Sequence, residues 1–202
     1  DQTFEAFDVR ESDPALDSAQ KSNLRRALAT ARAYAEEPTG WLVLTGGYGC
    51  GKTHLAAAIA NQCVDAGNSA IFVVVPDLLD HLRAAFAPGS TVTFDRRFDE
   101  IRRAPLLVVD DLGSQSATPW AQEKLFQLFD HRYNALLPTV VTMTRDVDLD
   151  PRLKTRIMDT SRCRVLEITA PSYRGEARPT SPEKPRTSPS SSRGRRGLGV
   201  AR

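Results

Sequence analysis

Eight consecutive residues, Gly46-Gly47-Tyr48-Gly49-Cys50-Gly51-Lys52-Thr53, carry the pattern G-x-x-x-x-G-K-[ST], and with it the chemistry of a phosphate cradle. Its glycines let the backbone fold around a β-phosphate so that successive N–H groups point inward. A helix opening at Lys52 would add the partial positive charge of its N-terminus at the same spot. Lys52 would neutralise the β- and γ-phosphates, and the Thr53 hydroxyl would ligate Mg²⁺. The stretch, with His54 beside it, reads as a site for a nucleoside triphosphate, ATP with Mg²⁺. Fifty-eight residues beyond Lys52, the apolar run Leu106-Leu107-Val108-Val109 ends in Asp110-Asp111. Asp110 would hold Mg²⁺ through its water shell, and Asp111 would orient and deprotonate the water attacking the γ-phosphate. Asp-Asp-Leu-Gly is also good turn chemistry, but beside a complete phosphate loop the carboxylates read as its metal-side partners.

These residues need strands to deliver them and helices to hold the strands. Five apolar runs rich in Val, Leu and Ile read as strands: Trp41–Thr45, Ala70–Val75, Leu106–Asp110, Thr139–Met143 and Arg164–Ile168. Near-continuous runs such as Ile71-Phe72-Val73-Val74-Val75 suit strands covered on both faces, as in a parallel sheet. Helical patterns alternate with them: residues 17–36 with Leu24, Leu28 and Ala31 on one face, residues 52–66 stopped by Gly67, then Pro76–Phe86, Phe94–Arg103 and Thr118–Leu137. In the last of these, Leu125, Leu128, Phe129 and Arg132 share a buried stripe by their 3–4 spacing. The alternation specifies an α/β fold with right-handed crossovers.

The 202 residues suit one domain with a full core plus some excess, and 41% hydrophobic with 26% charged residues is ordinary for a globular protein. No apolar run approaches the roughly 20 residues that span a bilayer. No signal-peptide pattern opens the chain, and its start at Asp1 leaves room for a preceding segment. The net charge of +2 hides an asymmetry, since residues 171–202 carry a net +6 and the remainder a net −4. Basicity therefore sits in a tail rich in Pro, Ser, Gly and Arg, which has too few apolar groups to offset its ordering entropy and is expected to be disordered. Such a tail is either simply solvated or a basic arm for nucleic-acid phosphates. Cys50, Cys63 and Cys163 are widely spaced with no C-x-x-C pair, which argues against zinc and fits a reduced, cytoplasmic compartment. His54, His131 and Cys50 have no partners at metal-ligand spacing.

Together with Thr3-Phe4-Glu5-Ala6-Phe7, Val75-Pro76-Asp77-Leu78-Leu79, Arg132-Tyr133-Asn134, Pro138-Thr139 and the closing Ser172-Tyr173-Arg174, the two motifs resemble the AAA+ ATPases of the DnaC/DnaI helicase-loader and IstB transposition-helper group. The resemblance runs from about Thr3 to Arg174. It implies a three-layer P-loop fold with a five-stranded parallel sheet. The expected organisation is an N-terminal segment and helix over 1–40, the ATP-binding domain over 41–174, and the tail over 175–202. ATP would lie at subunit boundaries of an oligomer. Sensor residues would fall at Thr142-Met143-Thr144, where the family more often has Asn in place of Thr144; a hydroxyl can still bond the γ-phosphate or water, with shorter reach. Arg156 resembles a trans arginine finger, with Arg152 and Arg162 as rivals, and some relatives place that finger where this chain has Thr160. Arg174 resembles the arginine that acts in cis near the domain end.

The resemblance further implies single-stranded DNA binding through the segment between the second and third strands. That segment offers His81, Arg83, Arg96, Arg97, Arg102 and Arg103, interleaved with Phe86, Phe94 and Phe98. Phe94, Phe98 and Ile101 also have helical core spacing. The implied function is an ATP-hydrolysing DNA-handling switch that serves a replicative helicase as its loader, or else a transposase. Two readings of other classes stay open: a P-loop small-molecule kinase and a nucleotide-binding interaction module without hydrolysis.

Overall fold

Side-chain alternation along one strand decides the layering. In the computed structural model, which describes residues 2–84, 94–113 and 118–174, strand β1 (Trp41–Gly46) is buried at all six positions. Leu42 and Leu44 point into one core, which also holds residues of helices α1 (Ser18–Glu36) and α2 (Lys52–Asp65). Trp41 and Val43 point into a second core on the opposite face. That second core takes in α3 (Val75–Ala84), α4 (Phe94–Arg102), α5 (Pro119–Asn134) and α6 (Pro151–Ile157). A strand covered on both faces has no use for polar alternation, which is why it is apolar from Trp41 to Leu44. Each fully buried Leu in it contributes about 1.5–3 kcal/mol through burial.

The sheet is parallel in every pairing, in the order β2-β3-β4-β1-β5, with β2 (Ala70–Val74), β3 (Leu106–Leu112), β4 (Thr139–Met143) and β5 (Cys163–Ile168) flanking β1. This order places β3 and β4 beside the strand that feeds the glycine-rich loop. The expected strands are all present, with differences at four ends: β1 extends to Gly46 instead of Thr45, β2 stops at Val74 because Val75 opens α3, and β3 and β5 differ as follows. β3 runs two residues past Asp110 to Leu112, through a register shift between Val109 and Leu112 where Asp111 takes φ 59°. β5 begins one residue early, at Cys163, which accepts the register of Trp41.

Helix ends follow cap chemistry. Asp17 caps α1 through a reciprocal capping box with Gln20. Thr118 caps α5 rather than joining it, its hydroxyl accepting from the Ala121 N–H. The helix also stops short of the expected Leu137, because Leu136 turns to φ 56° ahead of Pro138. Arg132 is fully buried, as its place in the stripe of α5 requires. Its guanidinium donates to Thr139 Oγ1 (2.9 Å) and to the carbonyls of Arg102 (3.0 Å), Ala104 (2.8 Å) and Pro138 (2.6 Å), so it ties α5 to the start of β3 and β4. Burial lowers its pKa to about 10, which leaves it ionised at neutral pH.

Ahead of α1 the chain is packed rather than loose: Phe4, Phe7 and Leu16 belong to the same core as α2. The expected tail over 175–202, and Phe86 in the expected third helix, lie outside the described residues.

Candidate nucleotide site

The glycine-rich loop leaves the C-terminal end of β1 and runs straight into α2, as its sequence requires. Gly51 precedes α2 with φ 102°, a left-handed conformation that side chains resist. A Cβ there would also meet the Phe7 ring at 2.8 Å and the Tyr173 ring at 3.3 Å. Two aromatic residues from opposite ends of the chain thus press on the loop where it becomes helix. The Tyr173 N–H donates to Gly49 O (2.9 Å), and the Tyr173 hydroxyl donates to Asp8 O (2.5 Å). His54 Nε2 lies 2.7 Å from Thr3 O, and its ring meets Phe7 edge-on at 5.3 Å. Of the expected loop residues, Cys50 is fully buried and Tyr48 stands out at 79% exposure. A cavity of about 490 Å³ lies between the loop and the segments around Phe7 and Tyr173, lined by Phe7, Asp8, Gly49, Lys52, Tyr173 and Arg174 among others. Arg174 thus lies beside the loop.

On the other side of the loop the two acidic-site motifs meet. Thr53 Oγ1 lies 3.1 and 3.2 Å from the two oxygens of Asp110, a carboxylate only 5% exposed. Thr142 Oγ1 donates to Asp110 Oδ1 at 2.6 Å and accepts from the Asp111 N–H at 3.0 Å. Among the described residues Asp110 has hydroxyl donors and no ion pair. A buried carboxylate lacking positive charge, next to a threonine hydroxyl, is an oxygen set that fits a hard divalent cation such as Mg²⁺. No group of three or more His, Cys, Asp or Glu gathers at metal distance among the described residues. Lys52 Nζ donates to Gly46 O (3.1 Å) and Gly47 O (2.7 Å), so its ammonium already sits at the mouth of the loop.

Thr142, the first residue of the expected sensor segment, makes a contact with Asp110 that sequence reasoning did not assign. Thr144 was the expected sensor, yet it is half-buried without a side-chain hydrogen bond among the described residues, while Thr142 grips Asp110. Strand alternation carried the signal: Thr142 pairs with Leu44 in register, which puts it in the middle of the sheet between the two motifs.

Arg152 and Arg156 on α6, and Arg162 in the turn after it, behave differently from one another. Arg156 is paired with Asp130 of α5, donates to Arg152 O (2.9 Å) and packs over the Phe126 and Tyr133 rings. Arg152 pairs with Asp150 and Glu123 and stacks on Phe126 at 4.1 Å. Arg162 donates to Tyr133 O and lies over the Tyr133 ring at 4.5 Å. Thr160 falls in the turn just before β5.

The basic segment is also more self-contained than its composition suggests. Arg83 pairs with Asp80, Arg96 and Arg97 with Glu100, and Arg102 and Arg103 with Asp99. Phe98 and Ile101 are buried in the core. The three cysteines are buried free thiols. No described helix is long and apolar enough to cross a membrane.

A family model described as IstB-like ATP binding protein matches residues 2–181. The chain is 30% identical over 140 residues to the replicative helicase loader DnaC of Escherichia coli (strain K12), covering 67% of this chain and 57% of that protein. It is 29% identical over 139 residues to the replicative helicase loader DnaI of Bacillus subtilis (strain 168), covering 68% and 42%. The chain thus spans about half the length of these curated relatives. Among solved structures, AMPPCP-bound DnaA from Aquifex aeolicus superposes with a TM-score of 0.67 at 21% identity, over 83% of this chain and 50% of that one. The architecture is the three-layer P-loop fold of AAA+ type, with its five-stranded parallel sheet.

Proposed function

The chain belongs to the family of IstB-like ATP binding proteins, and from that premise we propose that it is an ATP-hydrolysing, DNA-handling switch that loads a replicative helicase. The nucleotide half of this reading is carried by one observation: the Thr53 hydroxyl and the buried Asp110 carboxylate meet beside the glycine loop. Helicase loading rests on the relatives named as helicase loaders. The family model also names the IstB group, which supports a second reading as an ATPase that assists a transposase.

In the proposed mechanism the loop from Gly46 to Thr53 would wrap the phosphates, Lys52 would face the β- and γ-oxygens, and Thr53 with Asp110 would hold Mg²⁺, which when bound would supply charge neutralisation at the phosphoryl oxygens. Thr142 keeps Asp110 turned toward Thr53 and fixes the Asp111 backbone. Asp111, set in its left-handed kink one residue further along β3, accepts the proton of the attacking water. Phe7, Tyr173 and Arg174 close the other end of the nucleotide. Thr144 lies at the γ-phosphate end. A second subunit supplies a trans arginine from the α6 region, so turnover is slow in the monomer. Single-stranded DNA and the helicase are the macromolecular partners.

ATP turnover measured against protein concentration, with and without single-stranded DNA, tests this. We expect specific activity to rise with concentration and again with DNA. A chain that binds ATP but never releases inorganic phosphate would end the hydrolytic reading. Failure to retain a replicative helicase in the ATP state, with retention of a transposase instead, would replace the helicase reading with the transposase one.

A further inference from the structure

We propose that Arg145, the residue after Thr144, is a cis sensor of the γ-phosphate that exchanges Glu167 for the nucleotide. This rests on the reading of the glycine loop as a triphosphate site and assigns that site a residue outside its motifs.

Arg145 stands two residues past β4, on the same edge of the sheet as the loop. Its side chain reaches across the end of β1 to β5. There its Nε lies 2.5 Å from Glu167 Oε1, and its Nη2 lies 3.5 Å from Ile168 O. Ile168 is the register partner of Gly46, the first residue of the loop, and a Cβ on Gly46 would sit 2.5 Å from that same carbonyl. Lys52 meets Gly46 through the Gly46 carbonyl at 3.1 Å. Two cations therefore flank Gly46: Lys52 through its carbonyl and Arg145 through the carbonyl packed against its Cα.

The present partner of Arg145 is easily traded. Arg145 and Glu167 are each about half exposed, at 47% and 51%, and an exposed ion pair holds weakly because water screens it. A phosphoryl group offers a guanidinium more: two or three anionic oxygens in the geometry of its planar fork. The arginines on α6 stand apart from this competition. Arg152 and Arg156 are occupied by carboxylates of their own subunit, and Arg162 lies at the start of β5, the end of the sheet away from the loop.

The exchange makes the site sensitive to nucleotide state. ADP ends at the β-phosphate and engages the loop amides and Lys52, leaving Arg145 with Glu167. ATP adds the group that draws Arg145 away, and it frees the Glu167 carboxylate on the outer strand β5. Backbone groups there stay locked, because Asn23 of α1 holds Glu167 O and the Thr169 N–H. The change is confined to side chains at the sheet edge, where a second protein could read it.

Calorimetric titration of the full chain with Mg²⁺ and either ADP or a non-hydrolysable ATP analogue tests the proposal. Arg145→Gln is expected to weaken the analogue about tenfold and leave ADP unchanged. Glu167→Gln, which removes the competing carboxylate, is expected to tighten the analogue several-fold, again with ADP unchanged. Both substitutions are at exposed positions, and thermal melting checks that they fold. Loss of analogue and ADP affinity together in Arg145→Gln, or no change in either, overturns the proposal. If the unmodified chain binds both nucleotides and Lys52→Ala binds neither, such a result counts against Arg145 alone. If the unmodified chain binds neither nucleotide, the reading of the loop itself is wrong.

Discussion

Replacing Thr142 with Val keeps the shape of a buried strand residue and removes only its hydroxyl. Two hydrogen bonds go with it: the 2.6 Å bond donated to Asp110 and the 3.0 Å bond accepted from the Asp111 N–H. The first ends on a carboxylate 5% exposed, so it is of the charge-assisted kind that contributes about 1.5–3 kcal/mol. The second leaves an amide without its partner at a half-buried position. There the penalty falls near the low end of about 1–3 kcal/mol, because water reaches part of it. Together Thr142→Val should destabilise the fold by about 2–4 kcal/mol, read from urea unfolding at neutral pH through the buried Trp41. Asp110 would then keep only Thr53 as a hydroxyl donor, and turnover should fall more than ATP affinity. Thr142→Ser, which restores the hydroxyl, should recover most of both losses. A stability change below about 0.5 kcal/mol, or a Ser variant no better than Val, would show that the hydroxyl does not hold the carboxylate.

Three further outcomes are expected. Arg156→Ala should destabilise even the dilute protein by about 1–3 kcal/mol, since it strips a half-buried partner from Asp130; unchanged urea unfolding would refute that anchoring role. Thr160→Arg, which places a guanidinium where some relatives carry their finger, should steepen the dependence of turnover on protein concentration; a flat dependence in both proteins argues against a trans cation. The Asp159 carboxyl is held down at about 2 by the Ser161 hydroxyl, the Tyr133 hydroxyl and the Ser161 N–H. Its folded pKa lies below the ordinary 3.8, so its contribution is fully present above that value and is lost as pH falls through about 2. Melting temperatures of the native protein and Asp159→Asn should accordingly converge across that acid window, and curves that stay parallel would contradict the assignment.

Much of the fold was legible because it depends on strong local signals. Apolar runs and an intact phosphate loop located the strands and the turn into α2, but not sheet position: the run over residues 71–74, expected to be covered on both faces, lies in the edge strand β2 and is only partly buried, with Phe72 exposed. Element ends were less legible where one residue's conformation decides them, as with the turn at Leu136 that stops α5 and the kink at Asp111 that lengthens β3. Pairings between distant elements left no trace in spacing. Arg156 and Asp130 meet through the packing of α6 on α5, and Arg145 meets Glu167 across an intervening strand. An arginine in sequence is only a charge; whether it is free depends on which carboxylate the fold brings to it. Thr142 illustrates the reverse case: the resemblance placed sensor residues at Thr142-Met143-Thr144 and favoured Thr144, while strand register puts the Thr142 hydroxyl on Asp110.

The same pairings rank the arginines that a neighbouring subunit could use. To act in trans, Arg156 must leave a half-buried carboxylate, a carbonyl and two aromatic faces at once. Arg152 is half exposed and gives up its ion pairs to Glu123 and Asp150 and one ring contact, all of them weakened by the water around its guanidinium. Arg162 gives up one carbonyl bond and one ring contact, and among the described residues it has no ion pair to lose. It also lies on the exposed surface at the start of β5, next to Thr160, where approach by a second subunit needs no rearrangement of α6. Because every kilocalorie needed to release the residue is subtracted from what it gives the transition state, Arg162 is the least expensive donor and Arg156 the most. The residue that best resembles a finger is thus held most firmly at home, and its main physical role in this subunit is to clamp α6 onto α5.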